Sequence, residues 1–341
     1  MRRQLSLFLV FCWLLLPACQ KQVETLHHLD GATMGTTWSV KLHSLPDGVD
    51  PARLKSQLQA QLERINRLMS TYDPESEISR FNRQTSGDWF AISMETAEVI
   101  SLSLQVSQLT AGAFDISVGP LVELWGFGAS ERGEQLPTDK QVAEQLAKVG
   151  YQHLQLRRSP AELRKTQPSL QIDLSAVAKG YAVDLLAESL VERGVDNFLV
   201  EIGGELRIAG KRSDGTPWKI AIEKPLEEVR EVKTIFPLSD TGLATSGNYR
   251  NFYIENGQRY SHTIDPVSGR PIRHRLASVT VIDPACARAD ALATALMVLG
   301  EEKGRILVEE QQIAAYFLIH EQQETVAYVS PAFQKFLAEV N

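Results

Sequence analysis

The order in which helical and extended patterns follow one another constrains the fold of this 341-residue chain more than any other feature. Apolar residues recur at helical spacing in three long segments, 51–69, 94–109 and 176–193. Three segments that alternate like strands come directly after these helices, at 198–202, 205–208 and 218–222, with Gly203-Gly204 as a tight turn. Because strands that follow one another directly pair antiparallel, we predict an α+β fold in which helices cover an antiparallel sheet, and not a doubly wound parallel sheet.

Shorter segments complete this prediction. Residues 38–42 alternate like a strand, and residues 153–157 and 170–174 are predicted to be short strands. Residues 139–149 predict a helix, and the polar run 129–137 predicts a loop. No segment recurs at a fixed period, which excludes solenoid and propeller folds.

The N-terminal residues have the pattern of a bacterial lipoprotein signal. Two arginines precede an apolar stretch over residues 5–16, which is shorter than the roughly 20 apolar residues of a transmembrane helix. The stretch ends in Leu16-Pro17-Ala18-Cys19, so we predict that residues 1–18 are a signal peptide and that Cys19 carries a lipid. An ordinary secretory signal with an incidental cysteine is the alternative.

The predicted cleavage sets the domain boundaries and the charge of the mature chain. Residues 19–28 are polar and are predicted to be a tether, and residues 29–341 are predicted to be the folded domain. The full chain has a net charge of −7, and loss of the two signal arginines lowers it to −9, which argues against nucleic acid as a partner. Of three cysteines, only Cys286 lies in the folded domain, so we expect no disulfide and interpret Cys286 as a small buried residue.

Several short segments are too polar and glycine-rich for a core and too aromatic for ordinary loops. They are 33–36, 69–74, 112–115, 126–128, 172–181, 244–249, 260–269 and 289–294. The sequence contains neither a Walker-type phosphate loop nor a strand-borne G-x-G-x-x-G, so any phosphate must be bound in another way. In their order and content, these segments resemble the ApbE family of FAD:protein FMN transferases, from about Leu29 to the C-terminus. The resemblance implies a body related to the T-fold, with FAD as substrate and Mg²⁺ as cofactor.

Asp290 and Thr294 lie four residues apart in a segment of strong helix formers, so their side chains face the same side of one helix. A carboxylate and a hydroxyl suit Mg²⁺, which keeps several waters and takes phosphate oxygens from its substrate. On spacing alone, an acid at the positive end of a helix and a threonine bonded to the helix backbone are the better explanation. The resemblance implies instead that Asp290, Thr294 and the main-chain carbonyl of Ala176 hold the metal.

The segment 172–181 predicts a strand that ends in Asp173 and a helix whose first N–H groups suit a phosphate or a ribose. Asp173 or Ser175 could equally be a simple N-cap. The resemblance implies that Asp173 and Lys179 contact FAD, although some family members carry an acid in place of Lys179. It implies further FAD contacts at Met34, Tyr72, Ala113, Phe114, Asp115 and Ile264, among which a thioether and an aromatic ring can enclose a flat ring system.

His262 is the candidate general base, because a histidine with a pKa near neutrality can take the proton of an attacking hydroxyl. A structural histidine in a strand explains the residue equally well on sequence alone. Asp265, which precedes Pro266 and is therefore held extended, could orient His262 or cap a turn.

Together with these features, the resemblance implies that FAD is cleaved at its diphosphate, that FMN is attached to a threonine or serine hydroxyl of an acceptor protein, and that AMP is released. The family's acceptors are periplasmic domains of membrane redox complexes, so we expect the anchor at Cys19 to hold the protein in the periplasm at the inner membrane. Gln20, however, is not the acid that is associated with inner-membrane retention. The alternatives are a lipoprotein that binds flavin without chemistry and an FAD pyrophosphatase that uses water.

Overall fold

The computed structural model describes residues 26–43, 45–130, 132–226, 231–249, 251–322 and 324–338. Over these residues the chain forms eight α-helices: α1 (Pro51–Met69), α2 (Glu77–Arg83), α3 (Met94–Leu109), α4 (Gly119–Leu124), α5 (Asp139–Leu146), α6 (Ser175–Val191), α7 (Cys286–Glu310) and α8 (Pro331–Ala338). The same residues form seventeen strands: β1 (His27–Thr33), β2 (Thr36–Leu42), β3 (Phe90–Ala91), β4 (Leu154–Arg158), β5 (Ala161–Lys165), β6 (Phe198–Ile202), β7 (Glu205–Ala209), β8 (Trp218–Glu223), β9 (Val232–Leu238), β10 (Thr241–Gly247), β11 (Phe252–Glu255), β12 (Gln258–Ser261), β13 (Ile264–Asp265), β14 (Arg270–Pro271), β15 (Leu276–Asp283), β16 (Ala314–Glu321) and β17 (Glu324–Val329).

Within the described ranges, an antiparallel sheet of eight strands is the centre of the molecule. Its strand order is β1-β2-β6-β7-β10-β15-β16-β17. The hairpins β1–β2, β6–β7 and β16–β17 connect strands that are adjacent in both sequence and space. The predicted α+β fold with an antiparallel sheet is therefore confirmed.

The central sheet buries apolar side chains on both faces because its strands alternate. On β16, Phe317 and Ile319 join the main core beneath the helices α1, α3, α6 and α7. Tyr316 and Leu318 point to the opposite face, where the β8–β9 hairpin and α8 form a second apolar cluster. Alternation with a period of two residues thus gives this part of the sheet two dry faces.

The long helices follow the predicted spacing. Helix α1 begins after Asp50, whose carboxylate accepts from the N–H groups of Ala52 and Arg53 and caps the first turn. Its apolar residues at intervals of three and four, from Leu54 to Met69, are buried against the sheet and α6. The bounds of α1 and α3 agree with the predicted helices 51–69 and 94–109.

Helices α6 and α7 pack very closely, and this contact determines the geometry of the cavity described below. A Cβ atom on Gly180 would lie 2.5 Å from the carbonyl oxygen of Cys286, so only glycine fits there. Asp184 of α6 accepts from the N–H groups of Cys286 at 3.0 Å and Ala287 at 2.9 Å, and therefore caps the start of α7. Cys286 itself is buried, as predicted.

The pairing expected for one predicted strand is wrong, and a second predicted strand does not form. Residues 218–222 do form a strand, but β8 pairs with β9 in a separate hairpin, and β10 takes the place beside β7. The reason is that Trp218, Ile220 and Ile222 pack into the second apolar cluster, so β8 does not pair with β7 as the next strand of the central sheet. Residues 170–174 form no strand. Within this segment, Gln171 makes an isolated β-bridge with Val118.

Side chains supply the hydrogen bonds that a neighbouring strand would have given to residues 170–174. The amide of Asn82 donates to the carbonyl of Ile172 and accepts from its N–H, both at 2.8 Å. The buried ammonium of Lys165 donates to the carbonyl of Leu170 at 2.8 Å. Burial lowers the pKa of Lys165 to about 8.

None of the helices in the described ranges is both long enough and apolar enough to cross a bilayer. The predicted signal peptide, the predicted lipid site at Cys19 and the first part of the predicted tether lie outside the described residues. Strand β1 begins at His27, two residues before the predicted start of the folded domain.

Candidate functional site

A cavity of about 940 Å³ opens where the turns of two hairpins meet the packed helices α6 and α7. The turn between β1 and β2 contributes Met34, in a left-handed conformation with φ of 48°, and the β6–β7 turn contributes Gly203 with φ of 61°. The lining includes every predicted metal-binding, flavin-binding and catalytic residue: Met34, Tyr72, Ala113, Phe114, Asp115, Asp173, Ala176, Lys179, His262, Ile264, Asp290 and Thr294. The structure therefore brings together residues that span more than 250 positions of the sequence. The volume of the cavity is within the range of small-molecule sites.

Asp290 and Thr294 lie one turn apart on α7 and face the cavity together, as the spacing predicts. Asp290 is only 3% exposed, and its Oδ2 accepts from the N–H of Gly180 at 3.0 Å. Burial raises the pKa of Asp290, and the nearby Lys179 ammonium opposes that rise. The Thr294 hydroxyl lies 3.2 Å from the Ser246 hydroxyl.

Helix α6 presents its first turn to the same cavity. In a regular helix the N–H of Gly180 would bond to the carbonyl of Ala176. Here that N–H donates to Asp290, and Ala176 is one of the residues that line the cavity, so its carbonyl has lone-pair capacity for another ligand. Ala176, Asp290 and Thr294 thus offer oxygen donors from two helices that are in direct contact.

Asp173 lies just before α6 and stabilises the turn that leads into this helix. The cap position of the helix is Leu174, which makes no side-chain cap, so neither Asp173 nor Ser175 is the N-cap. Asp173 Oδ1 instead accepts from the N–H of Ser175 at 2.8 Å, and burial raises the pKa of Asp173. Its carboxylate is therefore held at the cavity wall, where the second oxygen can accept from a ligand.

Lys179 lies between two buried carboxylates. Its Nζ is 3.2 Å from Glu205 Oε1 and 3.8 Å from Asp290 Oδ2. Burial alone would lower the pKa of Lys179, but the two carboxylates outweigh it and raise the pKa above its usual value. Lys179 is therefore a permanent cation at the floor of the cavity.

Glu205 is a cavity residue that the sequence analysis missed. It is 4% exposed, and burial raises its pKa to about 8. The sequence signal for this residue was an acid directly after the Gly203-Gly204 turn, at the first position of β7.

His262 presents one ring nitrogen to the cavity. Its Nδ1 lies 3.0 Å from the main-chain carbonyl of Asn251, which can only accept, so the proton is on Nδ1 and Nε2 is a free base. Burial lowers the pKa of His262 below 6.5, and the charge of Lys179 lowers it further. Asp265 accepts from the N–H groups of Val267 and Ser268 and caps a turn, which decides between the two roles expected for it.

The residues 113–115 form a wall of the cavity with little side-chain freedom. Phe114 is 2% exposed, and the Asp115 carboxylate already accepts from the N–H and hydroxyl of Ser117 and from the N–H of Tyr151. Burial raises the pKa of Asp115. Backbone groups and the remaining lone pairs of Asp115 are thus what this wall can offer to a ligand.

An aromatic stack, which the sequence analysis did not identify, supports the wall on the side of His262. The rings of Trp125, Tyr260, Tyr253 and Phe127 stack in this order at centroid distances of 5.7, 5.3 and 5.3 Å. Phe127 lines the cavity and is T-shaped to the His262 ring, with 6.3 Å between the ring centroids. Tyr72, which is 67% exposed, donates to the carbonyl of Phe127 at 3.5 Å across the mouth of the cavity.

The donor set fits a hard divalent cation. Among the described residues, no three His, Cys, Asp or Glu side chains form a group that could hold a metal ion by themselves. The oxygens of Asp290, Thr294 and Ala176, beside the buried Glu205 carboxylate, are the ligand type that Mg²⁺ prefers.

Comparison with known proteins places these features in one family. The model of the ApbE family matches residues 34–317. A protein from Vibrio cholerae named FAD:protein FMN transferase is 44% identical over 326 residues, which cover 96% of this chain and 97% of that protein. Two solved structures are also similar. The flavin transferase ApbE of Vibrio cholerae matches with a TM-score of 0.85 and 43% identity, over 92% of this chain and 99% of that one. The apo form of the flavinyl transferase ApbE of Pseudomonas stutzeri matches with a TM-score of 0.84 and 42% identity, over 92% of this chain and 96% of that one.

These matches extend over almost the whole folded part of the chain and agree with the fold. The protein belongs to the ApbE family.

Proposed function

We propose that this protein is an FAD:protein FMN transferase that cleaves FAD with the help of Mg²⁺, attaches FMN to a threonine or serine hydroxyl of an acceptor protein and releases AMP. The observation that carries the proposal is the presence, in one cavity, of an oxygen cluster for a cation, a neutral histidine and an aromatic wall. The names of the relatives support the flavin chemistry.

The residues that would hold Mg²⁺ are Asp290, Thr294 and the carbonyl of Ala176. The ion would neutralise charge on the FAD diphosphate and on the departing AMP. Lys179 adds a fixed positive charge beside these oxygens, and in the low dielectric of a buried site it attracts a diphosphate strongly.

His262 prepares the nucleophile. Its free Nε2 takes the proton of the acceptor hydroxyl while the hydroxyl oxygen forms a bond to the FMN phosphorus, and the bond from that phosphorus to the AMP oxygen breaks. Because burial and Lys179 lower the pKa of His262, the imidazole is neutral at pH 7 and ready to accept this proton. The carbonyl of Asn251 fixes the ring orientation and the tautomer.

The flat rings of FAD require apolar walls, and the cavity has them. Phe127, backed by its aromatic stack, and the thioether of Met34 lie on the lining together with Tyr72. We assign the contacts with FAD to these side chains, to the wall at 113–115, and to Asp173 and Ile264.

We also propose that Cys19 is lipidated and holds the enzyme on the periplasmic side of the inner membrane, close to acceptor domains of membrane redox complexes. The basis is the signal pattern before Cys19. Mass spectrometry of the N-terminal peptide from membranes tests the lipidation, with Cys19→Ser as the control. The lipid mass is expected on the chain that has Cys19 and not on the Cys19→Ser variant.

The activity is tested with purified protein, FAD, Mg²⁺ and a periplasmic acceptor domain. We expect flavin fluorescence on the acceptor band of a denaturing gel and a mass increase equal to one FMN less one water, as formation of a phosphoester requires. Replacing the acceptor threonine or serine by alanine is expected to remove both signals. Labelling that persists in that variant contradicts transfer to a hydroxyl, and labelling without a divalent cation contradicts the role of Mg²⁺.

A further inference from the structure

Glu205 is a buried carboxylate of the cavity that has no role in the proposed reaction. It begins β7 directly after a turn in which Gly203 and Gly204 have φ angles of 61° and 108°, so the backbone adopts a conformation that glycine favours in order to point Glu205 inward. Its Oε1 is engaged with Lys179 at 3.2 Å. Its Oε2 is buried and, within the described part of the chain, has no hydrogen-bond partner.

An unpartnered carboxylate oxygen in a buried position is costly unless a ligand completes it. Glu205 is one of the residues that line the cavity, so a small rotation of its side chain brings Oε2 to a ligand there. Two carboxylates, Glu205 and Asp290, surround one ammonium, Lys179, and the cluster therefore lacks positive charge when both acids are ionised. A cation would bind the unpartnered Oε2 of Glu205 and would also balance the excess negative charge of the cluster.

We propose that Glu205 supplies a further oxygen ligand to the divalent cation of this site and that Lys179 competes with the cation for it; the inference rests on the proposed function. One ammonium reaches both carboxylates, at 3.2 Å and 3.8 Å, so a small cation near the position of Nζ reaches them after a modest rearrangement. Mg²⁺ binds oxygens at about 2.0–2.1 Å, which leaves no space for Lys179 between the same two acids.

Displacement of Lys179 has a chemical consequence. Lys179 immediately precedes Gly180, whose N–H bonds to Asp290, so its backbone stays next to the metal site when the ammonium leaves the two acids. The ammonium is then available to the diphosphate of FAD, which carries the opposite charge. In this arrangement Glu205 is a metal ligand and not only the partner of Lys179.

The experiment measures binding of Mn²⁺, as a spectroscopic substitute for Mg²⁺, to the FAD-free protein by electron paramagnetic resonance. We expect Glu205→Gln to weaken Mn²⁺ binding about 10-fold or more, which is the order of effect for a lost ligand or its support. Lys179→Met is expected to strengthen Mn²⁺ binding, because it removes the competing cation. The two substitutions thus have opposite effects.

Glu301→Gln is the matched control. Glu301 is also a buried glutamate with one oxygen bound to a cation, Arg275 at 3.1 Å, and with an Oε2 that has no hydrogen-bond partner among the described residues, but it does not line the cavity. We expect Glu301→Gln to bind Mn²⁺ as the unmodified protein does. Thermal unfolding of each variant verifies that it is folded.

Unchanged Mn²⁺ affinity in Glu205→Gln overturns the inference, and so does weaker binding in Lys179→Met, which would mean that the two residues act only as an ion pair. Asp290→Asn separates this failure from failure of the proposed function. If Asp290→Asn loses Mn²⁺ while Glu205→Gln retains it, only the role of Glu205 is wrong. If the unmodified protein binds no Mn²⁺ even with FAD, the metal assignment as a whole is wrong.

Discussion

Replacement of His262 by glutamine tests the proposed base with little change in shape. A glutamine amide can still donate to the carbonyl of Asn251, but it cannot take a proton from the acceptor hydroxyl. FAD binding is expected to persist, because the aromatic wall and the oxygen cluster are unchanged.

The size of the effect follows from the surroundings of His262. A positioned general base contributes about 10²–10⁴-fold to a rate. The group that orients His262 is a neutral carbonyl, which stabilises the imidazolium less than a carboxylate does. We therefore expect His262→Gln to slow transfer by about 10²–10³-fold, equivalent to about 3–4 kcal/mol in the activation free energy.

The pH dependence provides a second readout. Burial and Lys179 lower the pKa of His262 below 6.5, so the active, neutral form predominates at pH 7 and is lost as the pH falls through that lowered pKa. The transfer rate of the unmodified enzyme is expected to rise with pH below 6.5 and to be flat near neutrality. In His262→Gln this acid limb is expected to disappear.

The assay is the initial rate of acceptor labelling, read as flavin fluorescence in a denaturing gel at saturating FAD, with FAD affinity measured separately by calorimetry. His274→Gln is the matched control, because His274 is also partly buried and bonded to a main-chain carbonyl, that of Met297 at 2.6 Å, but lies outside the cavity lining. Labelling by His262→Gln at the unmodified rate refutes the base role. A large loss of FAD affinity shows instead that His262 binds the substrate.

Three further predictions concern the metal site and the core. Asp290→Asn should abolish Mg²⁺-dependent labelling yet keep the fold, because asparagine can still accept from the Gly180 N–H; labelling at the original rate when Mg²⁺ is limiting would contradict the ligand role. The free energy of unfolding should rise between about pH 8 and 10.5, because the pKa of Lys165 is about 8 in the folded protein and 10.5 otherwise, so the unfolded chain binds more protons in that interval. The gain is about 3 kcal/mol, and urea unfolding of Lys165→Met should lack it; an equal rise in that variant would exclude Lys165 as the cause. Gly180→Ala should lower the free energy of unfolding by about 1–3 kcal/mol, because its Cβ would overlap the Cys286 carbonyl; unchanged thermal unfolding would show that α6 and α7 separate freely.

Helix α1 was predictable because it has one long apolar face. Leu54, Leu58 and Leu62 recur at intervals that only a helix places on one side, and α1 has the predicted bounds. The segment 170–174 alternates in the same clear way, yet it is not a strand. Alternation shows that Leu170, Ile172 and Leu174 are buried on one side, but it does not reveal whether a strand or side chains such as Asn82 satisfy the backbone.

The candidate site was predictable where the chemistry is local in sequence. Asp290 and Thr294 share a helix face because of their spacing, and the structure places both in the cavity. The contact of Lys179 with Glu205 depends on how α6 packs against β7, and this is a property of the whole fold. The aromatic stack behind Phe127 likewise joins a loop to a distant hairpin, so no short segment indicates it.

The central claim is that FMN passes from FAD to a hydroxyl of another protein, and the fate of AMP tests it most directly. Chromatographic quantification of AMP, free FMN and protein-bound FMN, with and without an acceptor, gives the answer in one experiment. We predict that AMP appears only with the acceptor and in an amount equal to the bound FMN. AMP and free FMN formed without acceptor would indicate a pyrophosphatase, and FAD retained without any AMP would indicate a flavin-binding protein; either result contradicts the claim.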